Sequence, residues 1–390
     1  MAAHKSMYEH EGIPVGPLKI IPVDGCRPLC EMVDRHIVQW RRERDDEHHH
    51  SAHFSEYLAD SYLVDAKVPR FGSGEGKGEL DVSVRGDDIF LVVDVCNYSV
   101  TYKMNGIENH LSPDDHFQNL KRVIAAIGGK ARRINVIMPF LYESRQHRRT
   151  QRESLDCAMA LQELVDMGVS NILTFDAHDP RVQNAIPLSG FETVLPAYQF
   201  IKAIVETEKD LKIDKDHMIV ISPDEGAMGR VVYFTSVLGL DAGMFYKRRD
   251  YTQVVDGRNP IVAHEYLGRD LAGMDTIIID DMISSGDSML EVARELKARN
   301  CGRIFACSTF GLFTNGLEKF DRAYEEGLID RVYTTNLIYQ MPELAGREWY
   351  VSVEMSRYIA LLIDTLNHDE SISMLLNPSE KIKELLKSVK

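Results

Sequence analysis

The sequence predicts an α/β protein with two doubly wound, mostly parallel sheets. Three observations predict it. Short runs rich in Val and Ile recur along the chain, as parallel strands buried on both faces require. Helical patterns with apolar residues at three- and four-residue spacing separate several of them. The length, 390 residues, suffices for two such sheets with separate cores.

The predicted strands are residues 89–95, 135–140, 171–176, 217–222, 276–280, 303–309 and 331–336. The predicted helices are residues 115–128, 152–167, 225–238, 288–299 and 314–326. In the second of these, Leu155, Met159, Leu161 and Leu164 mark the apolar stripe. A domain boundary is expected in residues 187–196, where Pro187, Gly190 and Pro196 interrupt the pattern. The expected domains are residues 1–190 and 191–390, the second ending in a tail able to pack back on the first. Residues 41–56 read as an insertion, charge-rich and with four histidines (His48, His49, His50 and His53). They are expected to form a solvated face rather than a metal site.

Composition permits this reading and narrows the function. The chain is 44% hydrophobic and 27% charged, with a formal net charge of −15. That balance argues against a broad nucleic-acid or anionic-membrane surface, although a local Arg/Lys cluster can still take an anionic substrate. The six cysteines are scattered, with no CxxC spacing, and read as reduced cytoplasmic thiols. No run of 18 apolar residues occurs, and the first 16 residues lack an apolar stretch, so neither a membrane span nor a signal peptide is expected.

The most specific segment is Thr276-Ile-Ile-Ile-Asp-Asp-Met-Ile-Ser-Ser-Gly-Asp-Ser-Met-Leu290. An apolar strand runs into the acidic pair Asp280–Asp281. A small-residue loop follows, Ser284, Ser285, Gly286, Asp287 and Ser288, and then a helix opens. Carboxylates accept hydrogen bonds from vicinal hydroxyls or hold a metal bound to them. Loop N–H groups at a helix N-terminus suit a phosphate dianion. This order resembles the phosphoribosyl-diphosphate motif of the phosphoribosyltransferase superfamily.

Other segments extend the resemblance. They are Phe71-Gly-Ser-Gly-Glu75, Val84-Arg-Gly-Asp-Asp-Ile-Phe90, the run from Phe140 to Arg149, Phe175-Asp-Ala-His178, the run from Val220 to Arg230, Tyr246-Lys-Arg-Arg249, Thr334-Thr-Asn336 and the late stretch from His368 to Ser373. In this order, from about Leu18 to about Leu376, they resemble the ribose-phosphate diphosphokinase family.

The resemblance implies two phosphoribosyltransferase-like domains. It also implies transfer of the diphosphoryl group of ATP to the C1 hydroxyl of ribose 5-phosphate, with Mg2+ as cofactor. Lys247 and Arg249 match a Lys-x-Arg that opens a catalytic loop, which Arg258 could join. His178 and Asp224 match positions that hold magnesium with the ATP phosphates, and Arg145 and Gln146 match a pair that meets ATP. Phe71, Ser73 and Glu75 match a loop that reaches adenine from a neighbouring subunit. A homo-oligomer is therefore implied, a dimer at minimum, with a hexamer also compatible. The basic run Arg145, Arg148, Arg149 and Arg152 fits a polyphosphate site. Asp280, Asp281 and residues 284–288 are assigned to ribose 5-phosphate.

The chain departs from the family in places. The phosphate loop of the family reads Asp-Thr-x-Gly-Thr. Here Ser284 replaces the Asp, and Asp287 introduces a carboxylate beside the expected phosphate. At roughly 5 Å such a pair repels by on the order of several kcal/mol at an effective dielectric near 20. That change favours an alternative, a weakly active or inactive regulatory relative that binds nucleotide and partner subunits. A phosphoribosyltransferase proper, consuming phosphoribosyl diphosphate with a base, would need only one such domain.

Overall fold

The computed structural model describes residues 10, 12–48, 56–249 and 261–387. The chain divides into two compact units. The first comprises Met1–Leu195, Asn336–Tyr339 and Glu354–Asn377; the second comprises Pro196–Thr335, Gln340–Val353 and Pro378–Lys390.

The first unit contains β1 (Leu18–Pro22), α1 (Arg27–His48), β2 (Ala66–Lys67), β3 (Glu79–Leu80), β4 (Asp88–Val92), β5 (Thr101–Met104), β6 (Ile107–His110), α2 (Pro113–Ile127), β7 (Arg133–Ile137), α3 (Asp156–Asp166), β8 (Asn171–Phe175) and β9 (Gly190–Val194). Its sheet has the order β1-β4-β7-β8-β9, every neighbour parallel. Strand β4 is buried throughout, as a strand covered on both faces must be. It opens on a charged residue, Asp88, whose carboxylate is fully satisfied. Arg133 on β7 donates to both Asp88 carboxylate oxygens at 2.8 Å, and Asn135 and Asn367 each donate at 2.9 Å.

The second unit contains α4 (Ala197–Thr207), β10 (Met218–Ser222), α5 (Met228–Leu238), β11 (Asp241–Arg249), β12 (Ile261–Leu267), β13 (Asp275–Ile283), α6 (Asp287–Ala298), β14 (Ile304–Gly311), α7 (Glu318–Glu325), β15 (Arg331–Thr335) and β16 (Tyr350–Val353). The order is β12-β11-β10-β13-β14-β15-β16, with only β11–β12 antiparallel. The chain then returns to the first unit as α8 (Ser356–Asn367) and α9 (Ser373–Leu376), and ends in the second as α10 (Ser379–Lys387).

All seven predicted strands are present, and the α/β class with mostly parallel sheets holds. The helices start and stop where local chemistry dictates. Helix α2 begins at Pro113, two residues before its predicted start. Ser112 and Asp115 form a reciprocal cap there, and Gly128 ends the helix at φ 62°.

Sequence periodicity missed β9, which pairs with β8 inside the expected boundary region. It also missed α1, and this changes the reading of residues 41–56. Residues 41–48 are the last turns of α1. Arg41, expected on a solvated face, is 1% exposed. Its guanidinium donates to Asp364 at 2.9 Å and to Asn367 at 2.7 Å on α8, and stands over the rings of Tyr57 and Tyr62. Arg44 donates to the other Asp364 oxygen at 2.8 Å. A helix can bury a long cation when its head finds a carboxylate, and charge count alone does not reveal this. His49, His50 and His53 lie outside the described residues.

Candidate active site

Strand order in the second unit reverses at one place. The chain runs from β10 outward to β11 and β12 on one side, and from β13 outward to β16 on the other. The crevice beyond the C-terminal ends of β10 and β13 is therefore a topological switch point, where open α/β sheets bind ligands. The loop after β10 brings Asp224 there, and β13 brings the acidic pair and the Ser284–Ser288 loop.

Strand β13 runs three residues past its predicted end, because β14 pairs with it as far as Ile283↔Gly311. Its pairing with β10 stops at Ile278. The acidic pair thus lies within the strand, on the stretch where one neighbour has ended. Asp281 N–H donates to Asp280 Oδ1 at 2.9 Å. Asp281 is buried and lies 3.6 Å from the Arg230 guanidinium of α5. Burial pushes the Asp280 carboxyl well above the usual carboxylate range, and the nearby charges of Asp281 and Asp224 push it further. One acid of the pair has a cation beside it, and the other faces two like charges.

Asp224 is exposed, and its Oδ1 accepts from the N–H groups of Gly226 at 2.8 Å and Ala227 at 3.2 Å. These bonds orient the carboxylate at the mouth of the crevice.

The Ser284–Ser288 loop closes on Gly286, which sits at φ 84° as the residue preceding α6. A side chain there would be strained, and a Cβ would meet the Phe320 ring at 2.4 Å. The loop is fastened to the chain that leads into α7 by Thr314 N–H donating to Ser284 O at 2.9 Å. Helix α6 begins at Asp287, one residue before its predicted start. The Asp287 carboxylate turns to Lys319 of α7, with which it forms an ion pair, and accepts from the Ser285 hydroxyl at 2.9 Å. Lys319 and Ser285 hold it below the usual carboxylate range.

Lys247 and Arg249 close β11, three and five residues beyond Met244, the last β11 residue paired with β10. The strand thus carries them past the same end of the sheet. The expected catalytic loop, residues 250–260, lies outside the described residues, and Arg258 with it.

The remaining candidates lie in the first unit. Residues 141–155 follow β7 as a loop on which Arg145, Arg148, Arg149 and Arg152 are exposed. None of the four forms an ion pair with a described residue. Gln146 is tied down instead, its amide donating to Ser154 O at 2.7 Å. His178 is exposed just after β8. The preceding Asp176 is buried with φ 42°, a left-handed turn that a non-glycine residue adopts only under constraint. The ring of His147 lies 5.4 Å from that of His178, and His147 Nε2 lies 3.5 Å from Asp179. This brings the arginine loop and the loop after β8 together.

The Phe71–Glu75 loop is a tight turn: Phe71 N–H donates to Glu75 O and Gly74 N–H to Phe71 O, both at 2.8 Å. Arg70 braces it by donating to Gly74 O and Asn119 and by lying over the Tyr102 ring. Phe71 is left 57% exposed, and the Ser73 hydroxyl donates to Glu75 at 2.7 Å. An aromatic ring held outward on a rigid turn is suited to stacking on a planar partner.

Two family models match the chain. One, the N-terminal domain of ribose phosphate pyrophosphokinase, covers residues 18–168; the other, the phosphoribosyl synthetase-associated domain, covers residues 255–377. The chain belongs to the ribose-phosphate pyrophosphokinase family. A ribose-phosphate pyrophosphokinase of Vibrio parahaemolyticus is 28% identical over 320 residues, covering 81% of this chain and 92% of the relative. That of Pasteurella multocida is 29% identical over 315 residues, covering 80% and 90%. The crystal structure of phosphoribosylpyrophosphate synthetase from Mycobacterium smegmatis superposes with a TM-score of 0.70 at 19% identity, covering 90% of this chain and 99% of that one. It shows that the fold is shared.

Sequence reasoning about this pyrophosphokinase-family chain missed three residues that flank the candidate residues. His147 stood inside the basic run but had no spacing to mark it. Arg230 is the third residue of α5. Lys319 lies 32 residues from Asp287, and only the packing of α7 on the Ser284–Ser288 loop brings them together.

Proposed function

We propose that the chain transfers the diphosphoryl group of ATP to the C1 hydroxyl of ribose 5-phosphate, giving phosphoribosyl diphosphate and AMP. The observation that carries this reading is the switch-point crevice of the second unit. There Asp224, the Asp280–Asp281 pair and a glycine-turned loop at a helix N-terminus meet. Carboxylates for hydroxyls beside N–H donors for a phosphate suit a phosphorylated polyol.

In this reading the N–H groups and hydroxyls of residues 284–288 hold the 5-phosphate. Asp280 and Asp281 hold the ribose hydroxyls, which fixes the neighbouring C1 hydroxyl as nucleophile. A bond forms from the C1 oxygen to the β-phosphorus as the bond to the α,β-bridging oxygen breaks; AMP leaves with that oxygen and the hydroxyl proton is released to solvent. The protein supplies positioning and positive charge rather than a covalent intermediate. Lys247 and Arg249 are the cations assigned to the migrating group. Arg145, Gln146, Phe71, Ser73 and Glu75 are assigned to ATP, with His178 at its phosphates.

The donor set suits Mg2+, a hard cation that prefers carboxylate oxygens. Burial and the neighbouring acids raise Asp280 above the usual carboxylate range, and a dication would relieve that crowding. Asp224 and His178 are the residues assigned to the metal. When bound, it would neutralise phosphate charge. The same reading makes the enzyme cytoplasmic and a homo-oligomer, since the Phe71 loop serves a neighbouring subunit. Among the described residues no helix is long and apolar enough to cross a membrane.

The test is AMP release from ATP, with and without ribose 5-phosphate and magnesium. Pentose-dependent release is expected, and Lys247→Ala should lower kcat by orders of magnitude with ribose 5-phosphate binding retained. One observation favours the regulatory alternative: the Ser285 hydroxyl is already donated to Asp287. Nucleotide and sugar binding without AMP release would establish that alternative.

A further inference from the structure

Asp287 places a carboxylate at the first position of α6, where the loop is to receive a phosphate dianion. Two like charges compete there for one helix N-terminus. The structure shows how the competition is arranged. The Asp287 carboxylate bridges two groups: one oxygen accepts from Ser285 within the loop, and the other is ion-paired with Lys319 on α7. The position of Lys319 is set by packing. Its neighbour Phe320 is fully buried against Gly286, and no side chain fits between them. The pair opens on a groove of about 220 Å³ between α6 and α7, lined also by Arg294, Arg322 and Glu326.

We propose that Lys319 is a positioning residue for ribose 5-phosphate: by pairing with Asp287 it turns that carboxylate toward α7 and neutralises it, so that the loop can accept the phosphate. The proposal rests on the assignment of residues 284–288 to the sugar phosphate. It gives this chain a compensation in a second helix for a substitution in the loop. Lys319 does not touch the sugar; its effect passes through Asp287. Its side chain is 37% exposed and that of Asp287 60% exposed, so separating them does not open the core.

The experiment compares the full-length wild type with Lys319→Met, Lys319→Arg and the double variant Lys319→Met/Asp287→Asn. Ribose 5-phosphate binding is measured by calorimetry, and AMP release by steady-state kinetics. Lys319→Met should weaken binding and raise KM for ribose 5-phosphate about tenfold, the size of one uncompensated charge at a part-exposed site. Its kcat should stay near that of the wild type. Lys319→Arg should behave as wild type, and the double variant should recover to within a few-fold. Unchanged binding in Lys319→Met overturns the proposal. So does a double variant as weak as the single one, because Lys319 would then act on the sugar directly. A wild type that binds ribose 5-phosphate but releases no AMP sinks the proposed reaction alone, and the binding arm still decides the role of Lys319. A wild type that binds no ribose 5-phosphate overturns both.

Discussion

Asp364 in the first unit and Asp280 in the second are the same side chain in opposite electrostatic settings. Asp364 is 1% exposed. Burial works against its charge, but Arg41, His10, Arg44 and His368 together hold it well below the usual carboxylate range. Among the described residues, no cation is paired with Asp280. Burial raises it, and its near neighbours Asp281 and Asp224 raise it further. A buried acid flanked by two guanidinium groups and two imidazoles has its interactions completed within the fold. One crowded by other acids beside a crevice gains from a ligand that brings positive charge or hydroxyl donors. The difference separates a carboxylate that fastens structure from one poised for binding, although both are withdrawn from water.

The largest test of the comparison is Asp364→Ala. It leaves Arg41, 1% exposed, without its carboxylate. The expected loss is about 3–5 kcal/mol of stability, the usual cost of breaking a buried ion pair from one side. Denaturant unfolding measures it. A loss under about 1 kcal/mol would mean that α1 and α8 are held by apolar packing alone.

A pH series sharpens the same contrast. The His368 ring bonds to the Tyr57 hydroxyl and the Asp364 carbonyl, and burial lowers it to about 4. The native state then binds fewer protons than the unfolded state between that value and the ordinary histidine range. Stability from this group is complete at neutral pH and is lost as pH falls. Asp94, which accepts from the Tyr339 and Cys96 N–H groups, is raised by burial to about 6 and acts in the opposite sense, favouring the fold as pH falls toward the ordinary carboxylate range. The two largely cancel in the wild type. Subtracting the stability of His368→Gln isolates the histidine. The wild-type-minus-variant difference should fall by about 3 kcal/mol from about pH 7 to about pH 4. A difference that stays flat would mean that His368 is not held neutral by its surroundings.

The smallest expected effect on stability is that of Asp280→Asn. Removing one acid from a crowded group should raise ligand-free stability by about 1 kcal/mol, while ribose 5-phosphate binding weakens. Thermal unfolding and calorimetry read the two arms. If the variant unfolds earlier, Asp280 is a fastening carboxylate like Asp364 and the contrast collapses.

The parts of this architecture legible in the sequence share one property: their cause is local. The Val/Ile runs became strands because an apolar run cannot face water on either side. Gly286 marked the loop because only glycine takes φ 84° without strain. The acidic pair marked the crevice because an apolar run precedes it and a small-residue loop follows it. The parts that were not legible depend on distance along the chain. Arg41 looked solvated among its charged neighbours because Asp364 lies 323 residues away. Asp287 looked like a defect because Lys319 belongs to another helix.

By itself the sequence determined seven of the strands and five of the helices, the α/β class and the identity of the strand–acidic pair–loop segment. These follow from periodicity and from backbone restrictions acting over a few residues. Only the tertiary structure decided where the sheet reverses, so that Asp224 and Asp280 share one crevice. It also decided that the chain returns to the first unit at Glu354, after β16, and which carboxylates meet cations. Those outcomes depend on which faces pack, and packing joins side chains whose separation along the chain carries no local signal.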